Sequence, residues 1–272
     1  MDSPPELLER ILSPGQIRTV YQPILRIASG QSDVFGLEAL TRGPRGTSVE
    51  SPDILFEYSR RKHKEALVDL ACLQSAIKHA AGLPRFGKLF INMHASTLAN
   101  QQAFVETLAS VCTSFSFTPH KIVIEVVEHS PYWDREDFVH NMRRLRELGV
   151  RVAVDDLGVA YSSFKMILDV IPNYLKIDMD IIRGCGRDRI RRAMIESFFF
   201  LGNEVGAELI AEGVEEKEDF DILRSMGLTL FQGYLFSRPE PPDVIETMLA
   251  TASDYDQLLP SGLSNSGTSL NL

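Results

Sequence analysis

Five acidic residues stand inside or directly after short apolar runs, whereas most acidic residues of a globular protein lie among polar neighbours. They are Glu38, Glu125, Asp155, Asp156 and Glu212. If these runs are strands of one parallel barrel, their carboxyl ends meet at a common mouth and the five carboxylates share one site. Two like charges about 4 Å apart repel by roughly 4 kcal/mol at an effective dielectric near 20, so such a cluster takes up protons or binds cations.

The ligand types favour a divalent metal. Asn92 follows another apolar run and adds an amide oxygen to the carboxylates. Oxygen ligands alone favour Mg²⁺ or Mn²⁺ over zinc. The adjacent pair Asp155 and Asp156 is suited to bridge two ions, because neighbouring side chains at a strand end can diverge. A site with two metal ions activates water and stabilises the leaving oxygen of a phosphodiester.

Lys176 is a basic residue inside an apolar run, and Asp178 follows it by two positions. Residues two apart face the same side of a strand, so both would reach the mouth together. Lys176 is then either a plain ion-pair partner of the acids or a group that orients water and stabilises phosphate charge. Glu128 lies three residues after Glu125 and cannot face the same way on a straight strand. We expect Glu128 beyond the strand end, as a loop anchor.

Short β-rich runs alternate with helical patterns along most of the chain, which is typical of a parallel sheet covered by helices. The predicted strands lie near 18–24, 34–39, 88–92, 122–127, 151–155, 174–178, 208–211 and 229–231, and the clearest predicted helices span 65–80, 135–148, 187–201 and 216–226. The turn around Gly30 is too short for a helical crossover, so the first two strands should pair antiparallel. The pattern predicts an α/β fold, a TIM-like eight-stranded barrel with one reversed strand; an open doubly wound sheet is the alternative.

The composition limits the domain organisation and the partners. The 272 residues fit one barrel domain, predicted over residues 1–251, followed by a solvated and flexible tail over 252–272. The net charge of −9 argues against duplex nucleic acid as a partner. Cys72, Cys112 and Cys185 form no CxxC pair, so we expect reduced, buried thiols. No apolar run is long enough for membrane insertion and no secretion signal is visible, which predicts a cytoplasmic protein.

The site residues also occur in an order that resembles the EAL domain family, the phosphodiesterases of cyclic di-GMP. The resemblance covers about residues 17–240. It rests on Tyr21-Gln-Pro-Ile24, Glu38-Ala-Leu-Thr-Arg42, Asn92, Glu125-Val-Val-Glu128, Asp155-Asp-Leu-Gly158, Lys176-Ile-Asp178, Ala211-Glu-Gly-Val-Glu215 and Gln232-Gly-Tyr234. A lone tripeptide would carry no weight, but the ordered series is specific.

The resemblance implies a modified (β/α)8 barrel whose first strand is antiparallel, and an enzyme that cuts cyclic di-GMP to linear pGpG with two Mg²⁺ or Mn²⁺ ions. It assigns one metal to Glu38, Asn92, Glu125 and Asp155, and the other to Asp155, Asp156 and Glu212. Lys176, Glu212, Glu215 and Gln232 would belong to the catalytic set, with Lys176, Glu215 and Gln232 positioning the attacking water and the metal shell. Arg42 would bind a phosphate oxygen, and Gln22 and Asp178 the guanine end. A homodimer is implied through the face near residues 158–200.

The chain departs from the family pattern in the loop after the aspartate pair. Val159 stands in place of a hydroxyl residue and Ala160 in place of a glycine. This leaves open a second interpretation, a catalytically impaired receptor that binds cyclic di-GMP and signals to a partner. A remote third interpretation is another metal-dependent barrel enzyme of enolase-like type. A sensory or cyclase module is not visible in this chain, so the regulatory input stays open.

Overall fold

The structure is a computed structural model that describes residues 7–28, 31–100, 103–127, 135–158 and 163–251. Within these ranges eight strands form a closed barrel in chain order: β1 (Arg18–Ala28), β2 (Gln31–Arg42), β3 (Lys88–His94), β4 (Ile122–Val127), β5 (Arg151–Leu157), β6 (Tyr174–Ile177), β7 (Glu208–Ala211) and β8 (Leu230–Phe231). β1 is antiparallel to both of its neighbours, β2 and β8, and all other pairs are parallel. The predicted barrel with one reversed strand is confirmed, and the open sheet is excluded.

Helices follow most of the strands. They are α1 (Leu7–Leu12), α2 (Pro52–Arg61), α3 (Glu65–Ala80), α4 (Ala95–Asn100), α5 (Phe104–Ser114), α6 (Arg135–Glu147), α7 (Ser163–Val170), α8 (Met179–Ile182), α9 (Arg189–Val205), α10 (Lys217–Ser225) and α11 (Pro242–Thr251), with a 3₁₀ turn at Pro119–Lys121. α9 begins two residues later than predicted because Asp188 caps it, accepting the backbone N–H of Ile190 at 2.8 Å. Gly206 ends α9 in the left-handed conformation, at φ +73°.

The interior of the barrel is packed with apolar side chains and is not a pore. Seven buried residues from seven strands form this layer: Ile24, Phe90, Val123, Ala153, Tyr174, Ile210 and Leu230. Phe35 of β2 is partly buried and packs against them, with its ring centroid 5.6 Å from that of Tyr174. The layer gives the barrel a solid apolar base directly beneath its mouth.

β2 contributes a glycine, Gly36, to the same level of the barrel. A Cβ atom at Gly36 would lie 2.8 Å from Cε2 of Phe90 and 2.9 Å from the carbonyl oxygen of Lys88. Real Cβ atoms do not approach other atoms so closely, so the glycine is what allows the Phe90 ring to fill the interior. The absence of a side chain at Gly36 therefore makes room for the ring of Phe90.

The outward-facing side chains of the strands pack against the helices and form the largest core. Tyr21 of β1 is fully buried in this layer, and its hydroxyl donates a hydrogen bond of 2.7 Å to the carbonyl of Ala76 in α3. Cys72, Cys112 and Cys185 are free and buried, as expected. Across the described ranges, no helix combines the length and the apolar character needed to cross a bilayer. The predicted tail, residues 252–272, lies outside the described residues.

Candidate active site

The site is the layer of side chains immediately above the apolar layer. Side chains alternate along a strand, so the residue two positions from each interior residue faces the interior again, one level nearer the mouth. Every strand places a polar residue at that level: Gln22, Glu38, Asn92, Glu125, Asp155, Lys176, Glu212 and Gln232. Gln22 precedes its interior residue, Ile24, because β1 runs in the reverse direction. The other seven follow theirs.

Glu212 and Gln232 lie one residue beyond the ends of their short strands, yet they continue the sheet. The backbone N–H of Glu212 donates to the carbonyl of Ile177 at 3.1 Å, and that of Gln232 donates to the carbonyl of Ala211 at 2.8 Å. These hydrogen bonds fix the backbone of both residues. The polar layer is therefore held by the barrel rather than by loose loops.

Lys176 lies at the centre of the layer and is 1% exposed. Its Nζ is 2.7 Å from Oε1 of Glu125, 3.4 Å from Oδ1 of Asp155 and 3.6 Å from Oε2 of Glu38. It also contacts Oε1 of Glu212. One ammonium group thus faces four carboxylates, which leaves the layer with a deficit of positive charge.

Side-chain amides hold Glu38 from two sides. Nδ2 of Asn92 donates to Oε1 of Glu38 at 3.0 Å, and Nε2 of Gln232 donates to Oε2 at 2.6 Å. Gln232 also donates to Oε1 of Gln22 at 3.1 Å, and Gln22 donates to the carbonyl of Ser237 at 3.0 Å. The chain of amides orients the Glu38 carboxylate within the layer.

The crowding of acids changes the acidity of the buried groups. Burial raises the pKa of Glu125 well above its usual range, and the neighbouring carboxylates of Glu38 and Asp155 add to the rise. Burial likewise raises the pKa of Glu212. Burial opposes ionisation of Glu38, but the charge of Lys176 and the two amides outweigh it and lower that pKa. Without a metal ion, Glu125 and Glu212 therefore favour their protonated forms, whereas Glu38 favours its ionised form.

Burial and neighbouring charges also set the pKa values of Lys176 and of Asp156, which lies at the rim of the layer. Burial disfavours the charged form of Lys176, but Asp155 and the surrounding glutamates outweigh it, so the Lys176 pKa rises well above its usual value. Burial, together with the charges of Asp155 and Asp178, raises the pKa of Asp156 to about 6. Lys176 is thus a permanent hydrogen-bond donor.

The residues present fit divalent cations bound through oxygen. Asp155, Asp156 and Glu212 each offer a carboxylate oxygen, and these oxygens lie within 4.8 Å of one another. Oε2 of Glu125 and Oε1 of Gln232 are buried and have no hydrogen-bond partner among the described residues, whereas Oε1 of Glu125 lies 2.7 Å from Nζ of Lys176. Buried oxygens without donors are costly unless a cation binds them. Hard oxygen ligands of this kind match Mg²⁺ or Mn²⁺.

Asp156 takes a backbone conformation that is unusual for a side chain with a Cβ, at φ +54°. The unusual conformation lies where the pairing of β5 with β6 shifts register, between Val154 and Leu157. Strained backbone of this kind is common at functional sites.

A cavity of about 310 Å³ opens above the polar layer. Two further predicted residues line it. Glu215 pairs with Nη2 of Arg183 at 2.6 Å, and Asp178 accepts the backbone N–H of Asp180 at 2.6 Å, capping α8. Arg183 and Tyr234 also line the cavity; no role is predicted for either from the sequence, because neither lies on a strand or belongs to a charge pattern. Tyr234 was visible only as the residue after Gln232-Gly233.

Two predicted site residues, Arg42 and Glu128, are not among the residues that line this cavity. Arg42 is the last residue of β2, outside the cavity lining, and its Nη1 donates to the carbonyl of Thr41 at 2.8 Å. Glu128, the predicted loop anchor, lies outside the described residues, as do Val159 and Ala160. The structure therefore brings together the predicted metal ligands, Lys176, Gln22, Gln232, Asp178 and Glu215, but not Arg42.

Comparison with known proteins gives a match to the family model described as EAL domain over residues 6–239. The chain is 31% identical over 242 residues to an uncharacterized signaling protein of Caulobacter vibrioides. It is 29% identical over 245 residues to the probable cyclic di-GMP phosphodiesterase PdeG of Escherichia coli. These alignments cover 88% and 87% of this chain but 29% and 47% of the relatives. The chain thus spans less than half the length of either relative.

Solved structures show the same architecture. A standalone EAL protein of Vibrio cholerae in its cyclic di-GMP-bound form is 28% identical, with a TM-score of 0.73, covering 83% of this chain and 93% of that one. The BlrP1 protein of Klebsiella pneumoniae, in a complex with manganese and cyclic di-GMP, is also 28% identical, with a TM-score of 0.74. That alignment covers 85% of this chain and 57% of the Klebsiella chain.

Proposed function

Because the chain belongs to the EAL domain family, we propose that it hydrolyses cyclic di-GMP to linear pGpG with two divalent cations, Mg²⁺ or Mn²⁺. One observation carries the proposal: the polar layer gathers Glu38, Glu125, Asp155 and Glu212 around Lys176. The Vibrio and Klebsiella structures support the same substrate and a divalent metal by analogy.

The residues of the polar layer divide into two proposed metal positions. Glu38, Asn92, Glu125 and Asp155 would hold the first cation, and Asp155, Asp156 and Glu212 the second. When bound, the two cations would activate a water molecule and stabilise the leaving oxygen of the phosphodiester. The buried Oε2 of Glu125, which has no hydrogen-bond partner among the described residues, supports the first position, and the closely spaced carboxylates of Asp155, Asp156 and Glu212 support the second.

Lys176, Glu215 and Gln232 would orient groups rather than bind metal. The raised pKa of Lys176 keeps its Nζ protonated, so it would donate hydrogen bonds to water or phosphate oxygens and not act as a base. Gln232 fixes the Glu38 carboxylate through Nε2. Glu215 would act at the rim, where its partner Arg183 holds one of its oxygens.

The remaining predicted residues would bind the substrate. Gln22 and Asp178 line the cavity and offer amide and carboxylate groups to the guanine end. Arg42 stands farther out and uses one nitrogen on Thr41, which leaves the rest of its planar guanidinium for phosphate oxygens. In this arrangement the nucleotide would extend from the polar layer toward the end of β2.

The test is turnover by the purified chain. Cyclic di-GMP should be converted to pGpG with Mg²⁺ or Mn²⁺ and not with EDTA, as measured by chromatography of the nucleotides. Glu38→Ala should abolish turnover, whereas Glu147→Ala, which removes an exposed carboxylate from the end of α6, should not. A folded protein without turnover under either metal would contradict the proposal. Binding of cyclic di-GMP by such a protein would favour the receptor interpretation instead.

We also propose that the chain forms a homodimer through α7. Phe164 and Leu168 of α7 and Ile171, the residue directly after it, are 64%, 78% and 64% exposed. A cluster of large exposed apolar side chains favours contact with another protein surface. Sedimentation analysis should give a dimer that Leu168→Glu converts to a monomer. A wild-type monomer at high protein concentration would contradict this proposal.

A further inference from the structure

A second cavity, of about 400 Å³, lies outside the barrel and shares no lining residue with the mouth cavity. Its walls are α1 with the turn after it, the first residues of β1, one face of α3, and Pro241–Pro242. We name it the α1 groove. The proline wall is fixed in place, because Glu240 and Tyr21 exchange two backbone hydrogen bonds of 2.8 Å. The groove is thus a defined feature of the fold.

The α1 groove is lined by cations in a chain whose net charge is −9. Arg18, Arg45 and Lys78 line it, and its lining includes no Asp or Glu among the described residues. Nη2 of Arg18 pairs with Glu50 at 2.6 Å and donates to the carbonyl of Gly43 at 3.2 Å, while Nε is buried with no partner among the described residues. Within the described part of the chain, no carboxylate lies within 4.0 Å of the side-chain nitrogens of Arg45 or Lys78. The groove therefore attracts anions.

The rest of the lining combines apolar residues with a few hydroxyl groups, the amide of Gln74 and the ring of His79. Ile11 and Ile17 are buried at its base, and the α3 face contributes Ala71. Thr19 and Ser75 form a buried hydroxyl pair with 2.8 Å between their oxygens. A concave site of this volume, largely apolar with a few placed polar groups, is typical of small-molecule pockets.

We propose that the α1 groove binds a phosphomonoester carried on an apolar, flat body. The guanidinium group of Arg45 and the ammonium group of Lys78 favour a phosphate dianion, because arginine binds phosphate oxygens in a bidentate manner and lysine adds a point charge; Arg18 is already paired with Glu50. The isoleucine and proline walls accommodate the apolar body. The site is distinct from the mouth and needs no metal.

The probe is 1-naphthyl phosphate, titrated calorimetrically into the whole chain in EDTA at low salt. EDTA removes divalent cations, so metal binding at the mouth does not contribute. We expect saturable binding that weakens as salt is added. Inorganic phosphate, which lacks the body, and 1-naphthol, which lacks the charge, should each bind at least tenfold more weakly. Absence of binding, or equal binding of 1-naphthol, would overturn the proposal.

Variants locate the site. The double variant Arg45→Gln/Lys78→Gln changes two side chains on the groove wall and should weaken binding at least tenfold. Arg143→Gln/Lys217→Gln makes the same charge change on exposed residues elsewhere and should leave binding unchanged. Gln22→Ala, in the mouth, should also leave it unchanged. Equal affinity in the groove variant, or loss of binding in Gln22→Ala, would assign the probe to another place and refute the proposal.

Discussion

Nζ of Lys176 lies 2.7 Å from Oε1 of Glu125, and both side chains are almost completely inaccessible, at 1% and 0% exposure. A buried ion pair of this kind contributes little net stability when compared with an apolar pair, but the loss of one partner leaves an uncompensated charge. Lys176 also faces three other carboxylates. The positive charge of Lys176 therefore reduces the repulsion among the four carboxylates when no metal ion is bound.

The first prediction concerns this ion pair. Lys176→Met should lower the free energy of unfolding by about 3–5 kcal/mol in EDTA, because four carboxylates lose their shared cation. Urea unfolding near pH 8 measures the change. Glu125→Gln combined with Lys176→Met should cost less than the sum of the single changes, since neutralising Glu125 removes part of the repulsion. Additive effects would show that the two side chains are not coupled.

Divalent cations should stabilise the folded chain. A ligand at 100 times its dissociation constant adds about 2.7 kcal/mol, so Mn²⁺ should raise the melting temperature clearly above its value in EDTA. Asp156→Asn removes one of the three carboxylates with closely spaced oxygens and should reduce this increase. Asp53→Asn, an exposed change at the start of α2, is the matched control and should keep the full increase. An unchanged increase in Asp156→Asn would argue against that residue as a ligand.

Gly36→Ala should destabilise the barrel interior. The added methyl group would lie 2.8 Å from the Phe90 ring, and overpacking of this kind costs about 1–3 kcal/mol. Thermal or urea unfolding measures the loss, and Phe90→Leu should recover part of it by making space. Gly82→Ala is the control, because the nearest atom to its new Cβ would be 3.8 Å away. Equal effects at the two positions would contradict the packing argument.

The three thiols should be unreactive in the folded state. Burial raises the pKa of Cys112 to about 11 and those of Cys72 and Cys185 to about 12. A raised pKa means that the thiolate, which is the nucleophile, forms only at higher pH. At pH 8 a thiol with a pKa of about 11 is about one part in a thousand thiolate. Mass spectrometry after iodoacetamide treatment should find three modified cysteines in urea and almost none in buffer; rapid native labelling would contradict the burial.

Most of the framework could be predicted from the sequence. All eight strands were placed by apolar runs, and β4 and β7 agree with their predicted bounds to the residue. β1 and β2 extend beyond their predicted ends, because an antiparallel hairpin continues pairing into residues whose side chains are polar, such as Ser32 and Asp33. β6 ends one residue early, because Asp178 leaves the sheet to cap α8.

The candidate site was predicted in part. The acidic site residues can be recognised in the sequence because they stand inside or directly after apolar runs. Carboxylates at the ends of parallel strands meet at the mouth of a barrel. The sequence leaves the role of Lys176 open between an ion-pair partner of the acids and a group that orients water, because it does not show how the side chains of different strands converge. Arg183 reaches the mouth from the end of α8, and its position depends on packing between elements distant in sequence. No local pattern encodes such a contact.

The reversed direction of β1 decides where the chain enters the barrel. In an ordinary parallel barrel the first strand would start at the floor, but Arg18 pairs with Arg42, at the mouth end of β2. The chain therefore enters the barrel wall at the rim of the mouth cavity, and β1 runs from there toward the opposite end of the barrel.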